Sequence, residues 1–153
     1  MHLIRLGIEV QRKINYKITY MKLTVSNRSK DLEYSVKKED GAEIILNANG
    51  QGVSPMDALL GSVAACSAVD AELILKKMRQ KLDTLTVEAK GERAEDQTPK
   101  FFRKIHLEFK LSGDIKQSAA EKAVGLGVEK YCSVAKSLKP DIDISWSVTV
   151  ENN

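Results

Sequence analysis

Two cysteines are the side chains of this chain best suited to carry out chemistry. Cys66 and Cys132 are its only thiols, and each lies in a predicted helical run rich in alanine and serine. The entropic cost of closing a loop grows only slowly with its length, so folding can bring two such distant residues together. A pair of adjacent thiols can form and break a disulfide. The alternative is that each cysteine is inert filler in an apolar helix, because burial favours the neutral thiol.

A thiol becomes a good nucleophile only beside a cation, a base or a helix N-terminus. Arg93 shares strand parity with buried positions, so we expect its guanidinium to point inward and to lower a thiol pKa; the alternative is a hairpin-end residue whose charge stays in solvent. Glu129 precedes Cys132 by three residues on the same helical face and either holds an arginine or lies in solvent. His2 and His106 are predicted to lie away from the core, so neither a cysteine–histidine mechanism nor a metal site is expected.

The elements that must position these residues follow from the periodicity of the apolar side chains. Alternation predicts three strands between residues 19 and 46, with Asp40-Gly41 forming a hairpin turn. The segment Ser54-Pro55-Met56-Asp57 predicts the capped N-terminus of a helix that runs to about Arg79 or Lys81. This helix is apolar nearly all round, which predicts a central helix that is buried on every side.

The second half of the chain repeats this mixture of strands and helix. Residues 84–111 are predicted to form a long antiparallel hairpin, on which Arg103 also has inward parity. Residues 115–138 are predicted to be a second helix, weakened in its middle by two glycines, and residues 142–150 a closing strand. The order β-β-β-α-β-β-α-β predicts an α+β fold with antiparallel sheets.

Composition bounds the class of protein. A chain of 153 residues suits one domain, which we assign to residues 21–153, with residues 1–20 as an N-terminal extension that forms a strand or an ordered arm. The net charge of +3 lies entirely in those first twenty residues, so nucleic-acid binding is not expected. No apolar run approaches the length of a membrane span. Two cysteines without a secretory signal pattern predict a cytoplasmic protein.

Three segments of the chain resemble the OsmC/Ohr family of thiol peroxidases, and most of all its YhfA-like branch. The resemblance extends over about residues 21–150. The segments that carry it are Ser54-Pro55-Met56-Asp57-Ala58-Leu59-Leu60, Ala64-Ala65-Cys66-Ser67-Ala68-Val69-Asp70 and Glu129-Lys130-Tyr131-Cys132-Ser133-Val134-Ala135.

The resemblance implies an intertwined homodimer in which antiparallel sheets wrap the long central helices and the active sites lie at the subunit boundary. It implies that Cys66 attacks an organic hydroperoxide and that Cys132 resolves the resulting sulfenic acid as a disulfide. An external dithiol, lipoyl-type or a small thiol, would reduce the disulfide, and no cofactor is implied. The expected apolar substrate pocket is lined by Met56, Leu59, Leu60 and Val63.

The chain departs from the family's hydroperoxide reductases at the residues that activate the first thiol. Those proteins carry an arginine on an early strand and a glutamate ten residues before the first cysteine, whereas here the second of these positions is Met56. This departure favours a second hypothesis, a non-catalytic protein of the same fold that binds an apolar or acyl ligand at the dimer interface.

Overall fold

The structure is a computed structural model that describes residues 19–151. The predicted N-terminal extension lies outside the described residues, apart from the exposed Thr19 and Tyr20. The predicted order of strands and helices is confirmed. The elements are β1 (Leu23–Asn27), β2 (Glu33–Lys38), β3 (Glu43–Asn47), α1 (Pro55–Lys77), β4 (Lys81–Arg93), β5 (Phe102–Asp114), α2 (Gln117–Leu126), a π-helical turn (Gly127–Tyr131), α3 (Ser133–Lys136) and β6 (Asp143–Glu151).

Strands β1, β2 and β3 form a small antiparallel sheet. The predicted turn between β2 and β3 is confirmed: Gly41 has a φ of 91°, which a residue without a Cβ adopts readily. The backbone N–H of Lys38 donates to the carbonyl of Ala42 at 2.8 Å and closes the hairpin. In this sheet the register aligns Val25, Val36 and Ile44 on one face.

Strands β4, β5 and β6 form the second sheet, and its pairing differs from the predicted antiparallel arrangement. Strands β4 and β5 are an antiparallel hairpin, but β6 runs parallel to β5. A parallel pair needs a crossover connection, and the helical segment between β5 and β6 supplies it. The chain therefore enters β6 at the same end of the sheet at which it entered β5.

Helix α1 begins with the predicted capping box. The Ser54 hydroxyl accepts from the Asp57 backbone N–H at 3.1 Å, and the Asp57 carboxylate accepts from the Ser54 backbone N–H at 2.9 Å. The helix ends at Lys77, slightly earlier than predicted, because Arg79 adopts a left-handed φ of 57° that a right-handed helix does not allow.

One face of α1 forms part of the hydrophobic core, while another face is exposed. Val63, Ala71 and Leu75 are fully buried against the second sheet and α2. Val69 and Leu73 remain more than half exposed, so burial on every side is not achieved within one chain. The expectation that no apolar run approaches the length of a membrane span does not hold for α1. Among the described residues it is the one helix long and apolar enough to cross a bilayer, a test that the core helix of a globular domain passes as well.

The predicted second helix is interrupted. Helix α2 passes into a π-helical turn at Gly127, and Cys132 has an extended ψ of 102° before the short helix α3 begins. A Cβ at Gly127 would lie 3.0 Å from the Ser67 carbonyl oxygen and 3.2 Å from the Ala71 nitrogen. The glycine therefore permits a close approach of this turn to the middle of α1.

Candidate functional site

Cys132 lies at the break between the π-helical turn and α3, and its side chain is completely buried. Its sulfur caps α3, because the backbone N–H of Ala135 donates to Sγ at 3.3 Å. The thiol in turn donates a weak hydrogen bond to the carbonyl of Val63 on α1, at 3.8 Å. These contacts hold the sulfur at a fixed place against the central helix.

Cys66 is the thiol neighbour of Cys132, and both cysteines are free in this structure. Burial raises the pKa of Cys132, and the hydrogen-bonding and charge interactions of the Cys66 thiol raise it further. The Ser67 hydroxyl and the Ala135 N–H act in the opposite direction. Folding thus brings together two thiols that lie 66 positions apart in the sequence. Cys66 is partly exposed and Cys132 is buried.

Arg93 does not take the inward position expected from strand parity. Its side chain is exposed, and its Nε and Nη2 atoms donate to the carbonyl oxygen of Lys100 at 3.0 and 2.7 Å, across the β4–β5 turn. The guanidinium also lies near Asp57 and helps to lower the pKa of that carboxyl, after the larger effects of Ser54. Cys66 lies nine residues beyond Asp57 on α1, which corresponds to about 13 Å along the axis of an α-helix.

Arg103 is likewise exposed, and the reason is an irregularity in strand pairing. The register shifts between Glu92 and Arg93, so that Phe102 rather than Arg103 faces Arg93. Phe102 fills the inward site, where its ring packs on Gly91. The guanidinium of Arg103 instead stacks 4.7 Å from the centre of the Phe101 ring. An extra residue in one strand reverses which side chains face the core.

Glu129 accepts a hydrogen bond from the indole Nε1 of Trp146 at 2.9 Å. Neither predicted alternative, an arginine partner or a purely solvated carboxylate, describes this contact. The side chain is exposed on the outer side of the π-helical turn, whereas Cys132 is buried. Glu129 therefore anchors the turn to β6.

His106 lies on the polar face of β5, as predicted. Its ring nitrogens pair with the hydroxyls of Ser145 and Ser147 on β6, at 2.9 and 3.2 Å. Across residues 19–151, no group of three or more histidine, cysteine or acidic side chains is arranged to hold a metal ion.

The expected pocket residues belong to the first turns of α1. Met56, Leu59 and Leu60 are partly buried against the core, and Val63 is fully buried. An open groove of about 340 Å³ lies further along the helix, between α1 and β4. It is lined by Gly61, Ala64, Ala65, Ala68, Leu85, Val87 and Ala89.

Ser67 was not predicted from the sequence as a site residue, but it lies beside Cys132. Its side chain is completely buried, its hydroxyl makes no hydrogen bond of ordinary geometry, and it lies beside the Cys132 sulfur. A signal for this position was available, because Val63, Ser67 and Ala71 recur at a spacing of four and so share one helical face.

Comparison with known proteins agrees with this fold. Residues 48–147, which include both cysteines, match the family of OsmC-like proteins. The protein YhfA of Escherichia coli K12 is 36% identical over 122 residues, which cover 78% of this chain and 90% of YhfA. The crystal structure of a hypothetical protein from Aquifex aeolicus is 34% identical, with a TM-score of 0.77 over 88% of this chain and 99% of that one.

A more distant structure has the same fold. It is an organic hydroperoxide resistance protein, OsmC, from Legionella pneumophila, which is 16% identical with a TM-score of 0.67 over 87% of this chain and 100% of that one. The family match covers well over half of the chain and agrees with the arrangement of sheets and central helix. The chain belongs to the family of OsmC-like proteins.

Proposed function

We propose that this protein is a thiol-dependent peroxidase that reduces organic hydroperoxides. The observation that carries the proposal is the proximity of a partly exposed thiol, Cys66, to a buried one, Cys132. Because Cys66 is partly exposed, a peroxide can reach it first. Cys132 is buried, so it is shielded from the peroxide and stays reduced until Cys66 has been oxidised. A distant relative by fold is named an organic hydroperoxide resistance protein, which supports the same chemistry.

In the first step, the Cys66 thiolate attacks the terminal peroxide oxygen. The O–O bond breaks, the alkoxide takes up a proton and leaves as an alcohol, and Cys66 becomes a sulfenic acid. In the second step, the Cys132 thiolate attacks the Cys66 sulfur, and the hydroxide that leaves takes up a proton to give water. An external dithiol, lipoyl-type or a small thiol, then reduces the disulfide and is itself oxidised. This cycle suits the reducing cytoplasm.

The proposed cycle does not use Arg93 or Glu129. The guanidinium of Arg93 is bound to the Lys100 carbonyl, and the carboxylate of Glu129 is bound to the Trp146 indole. For the described residues, the groups that influence the pKa of Cys132 are Ser67, Ala135 and Cys66, and none of them is a cation.

A second copy of the chain completes this proposal. The face of the first sheet that carries Val25, Val36 and Ile44 is largely solvent-exposed within one chain, as are Val69 and Leu73 on α1. Contiguous apolar surface of this kind marks an interaction site on a soluble protein. A homodimer that covers both surfaces would bring the exposed face of α1, and with it Cys66, to the boundary between subunits.

A second candidate function is the binding of an apolar or acyl ligand without catalysis. The groove between α1 and β4 favours it, because its walls are alanine, leucine and valine side chains. The lack of a cation among the groups that shift the pKa of Cys132 also favours a site that binds rather than reacts.

Thiol loss after addition of cumene hydroperoxide to the reduced protein separates the two functions. We expect rapid loss of two thiols per chain, with a Cys66–Cys132 disulfide identified by peptide mass spectrometry. Cys132→Ser should stop at a sulfenic acid on Cys66, and Cys66→Ser should not respond. Thiols that stay reduced in the wild-type protein at neutral pH would contradict the peroxidase proposal and favour the ligand-binding function.

A further inference from the structure

Ser67 carries a chemical feature that the fold does not explain. Its hydroxyl is fully buried in the middle of α1 and forms no hydrogen bond of ordinary geometry. A buried polar group without a partner is costly, and native structures contain few of them. An alanine at this position would avoid the cost, and alanine is the better helix former. The hydroxyl is therefore a candidate for a role in the site.

The neighbour of this hydroxyl is the sulfur of Cys132. In the neutral state the Cys132 thiol donates toward the Val63 carbonyl, and its uncharged sulfur is only a weak acceptor for the Ser67 hydroxyl. A thiolate has no proton to donate and accepts hydrogen bonds more strongly than a thiol. The N–H of Ala135 already points at the sulfur, at 3.3 Å. Ser67 lies on the α1 side of the same sulfur, as a second donor.

We infer that the Ser67 hydroxyl and the Ala135 N–H form a donor pair that stabilises the Cys132 thiolate when it attacks Cys66. This inference rests on the proposed peroxidase cycle and names the groups that allow its second step. A buried thiol without a neighbouring cation would otherwise remain protonated. In the overall step, the Cys132 thiol and the Cys66 sulfenic acid give one disulfide and one water.

Backbone packing holds the Ser67 hydroxyl beside the Cys132 sulfur, and this distinguishes Ser67 from another serine of the same helix. Gly127 brings its turn within van der Waals distance of the Ser67 carbonyl, so the sulfur and the hydroxyl are held together by backbone packing. Ser62 lies on the exposed side of the same helix, and its hydroxyl donates to the Ala58 carbonyl at 2.7 Å. Ser62 is thus a matched serine of the same helix that is exposed and has an ordinary helical partner.

The test compares Ser67→Ala with Ser62→Ala in two measurements. In the first, rapid mixing with cumene hydroperoxide follows sulfenic acid formation and disulfide formation separately. Ser67→Ala should form the Cys66 sulfenic acid at the wild-type rate within twofold, and should form the disulfide about tenfold more slowly, since one charge-assisted hydrogen bond is lost. Ser62→Ala should match the wild type in both steps.

The second measurement does not depend on peroxide. In a Cys66→Ser background, the Cβ chemical shift of ¹³C-labelled Cys132 reports its ionisation as a function of pH, and Ser67→Ala should move the midpoint to higher pH. An unchanged midpoint together with an unchanged rate of disulfide formation would overturn the inference. If peroxide fails to oxidise Cys66 at all, the proposed function fails, while the titration still decides the role of Ser67. Removal of an unpaired hydroxyl should not lower the melting temperature, so the variant remains folded.

Discussion

The two thiols differ sharply in their surroundings. Cys132 has its sulfur enclosed by α1 and the start of α3, and burial raises the pKa of its thiol. Cys66 is partly exposed on the central helix. The neutral form of Cys132 is therefore part of the native packing, and its ionisation works against the fold.

This raised pKa makes stability depend on pH. In the unfolded chain the Cys132 thiol ionises near pH 8.5, whereas in the folded protein it holds its proton to a higher pH. Between the two values the unfolded state binds fewer protons, so the free energy of unfolding falls as pH rises. We expect the wild-type protein to lose stability relative to Cys132→Ser above pH 8.5, with a slope of at most about 1.4 kcal/mol per pH unit.

Urea unfolding between pH 7 and pH 10, with a reductant present, measures this difference. Serine is the suitable replacement because its oxygen can also accept from the Ala135 N–H, as the Cys132 sulfur does. Below pH 8 the gap between the two proteins should be constant. Parallel stability curves over the whole range would mean that the folded state does not hold the proton on Cys132.

The π-helical turn at Gly127–Tyr131 is the element that delivers Cys132 to the central helix. Turns of this type often occur at functional sites, where they interrupt a helix and redirect its side chains. On its inner side, Gly127 packs against the backbone of α1. On its outer side, Glu129 is tied to Trp146 of β6. The turn is thus held between the helix and the sheet.

A methyl group at Gly127 tests this arrangement. In Gly127→Ala the new Cβ would meet backbone atoms of Ser67 and Ala71, at 3.0 and 3.2 Å, and backbone in a packed helix yields little. We expect a loss of about 1–3 kcal/mol in the free energy of unfolding. Disulfide formation after peroxide treatment should also slow, because the turn that carries Cys132 is pushed away from Cys66.

Ser133→Ala is the control for that variant. Ser133 is adjacent to Cys132 but, unlike Cys132, it is exposed. Chemical denaturation and quantification of the disulfide over time should leave this control close to the wild type. A Gly127→Ala protein as stable as the control would show that the turn can shift without cost.

At the scale of the whole molecule, a single chain leaves much apolar surface uncovered. The first sheet contacts the rest of the chain mainly through β3 and α1, and most of the large apolar side chains of its strands are exposed. A two-layer α+β domain normally buries one face of each sheet. We therefore propose that the face that carries Val25, Val36 and Ile44 binds a second copy of the chain.

Charges placed on this face should separate the subunits. We expect the molecular mass of the wild-type protein in solution to be twice the 17.0 kDa of one chain. Val25→Glu or Ile44→Glu should shift it to the monomer at micromolar concentration, because a carboxylate buried at an apolar interface loses its hydration. Thr24→Glu, on the opposite face of β1, should remain dimeric. Analytical ultracentrifugation measures the masses, and a monomeric wild type would contradict the proposal.

The features predicted well from the sequence are those set by a few neighbouring residues. The capping box of Ser54 and Asp57 and the hairpin turn at Asp40-Gly41 depend on local hydrogen bonds and backbone preferences. The prediction that Arg103 points inward was wrong, because a shift of register places Phe102 at the inward position. Such a shift depends on how the Phe102 ring packs between two strands, and the alternation of side chains along one strand does not predict that packing.

The sequence alone determined the order of the elements, the start of the central helix and the presence of one pair of thiols, since propensity and periodicity act over short stretches of chain. Only the tertiary structure decided that Cys132 lies at a helix break beside Cys66, that Ser67 has a buried hydroxyl next to the sulfur, and that β6 is parallel to β5. These features arise where surfaces from distant parts of the chain meet. Their geometry depends on the mutual fit of side chains and backbone across that contact.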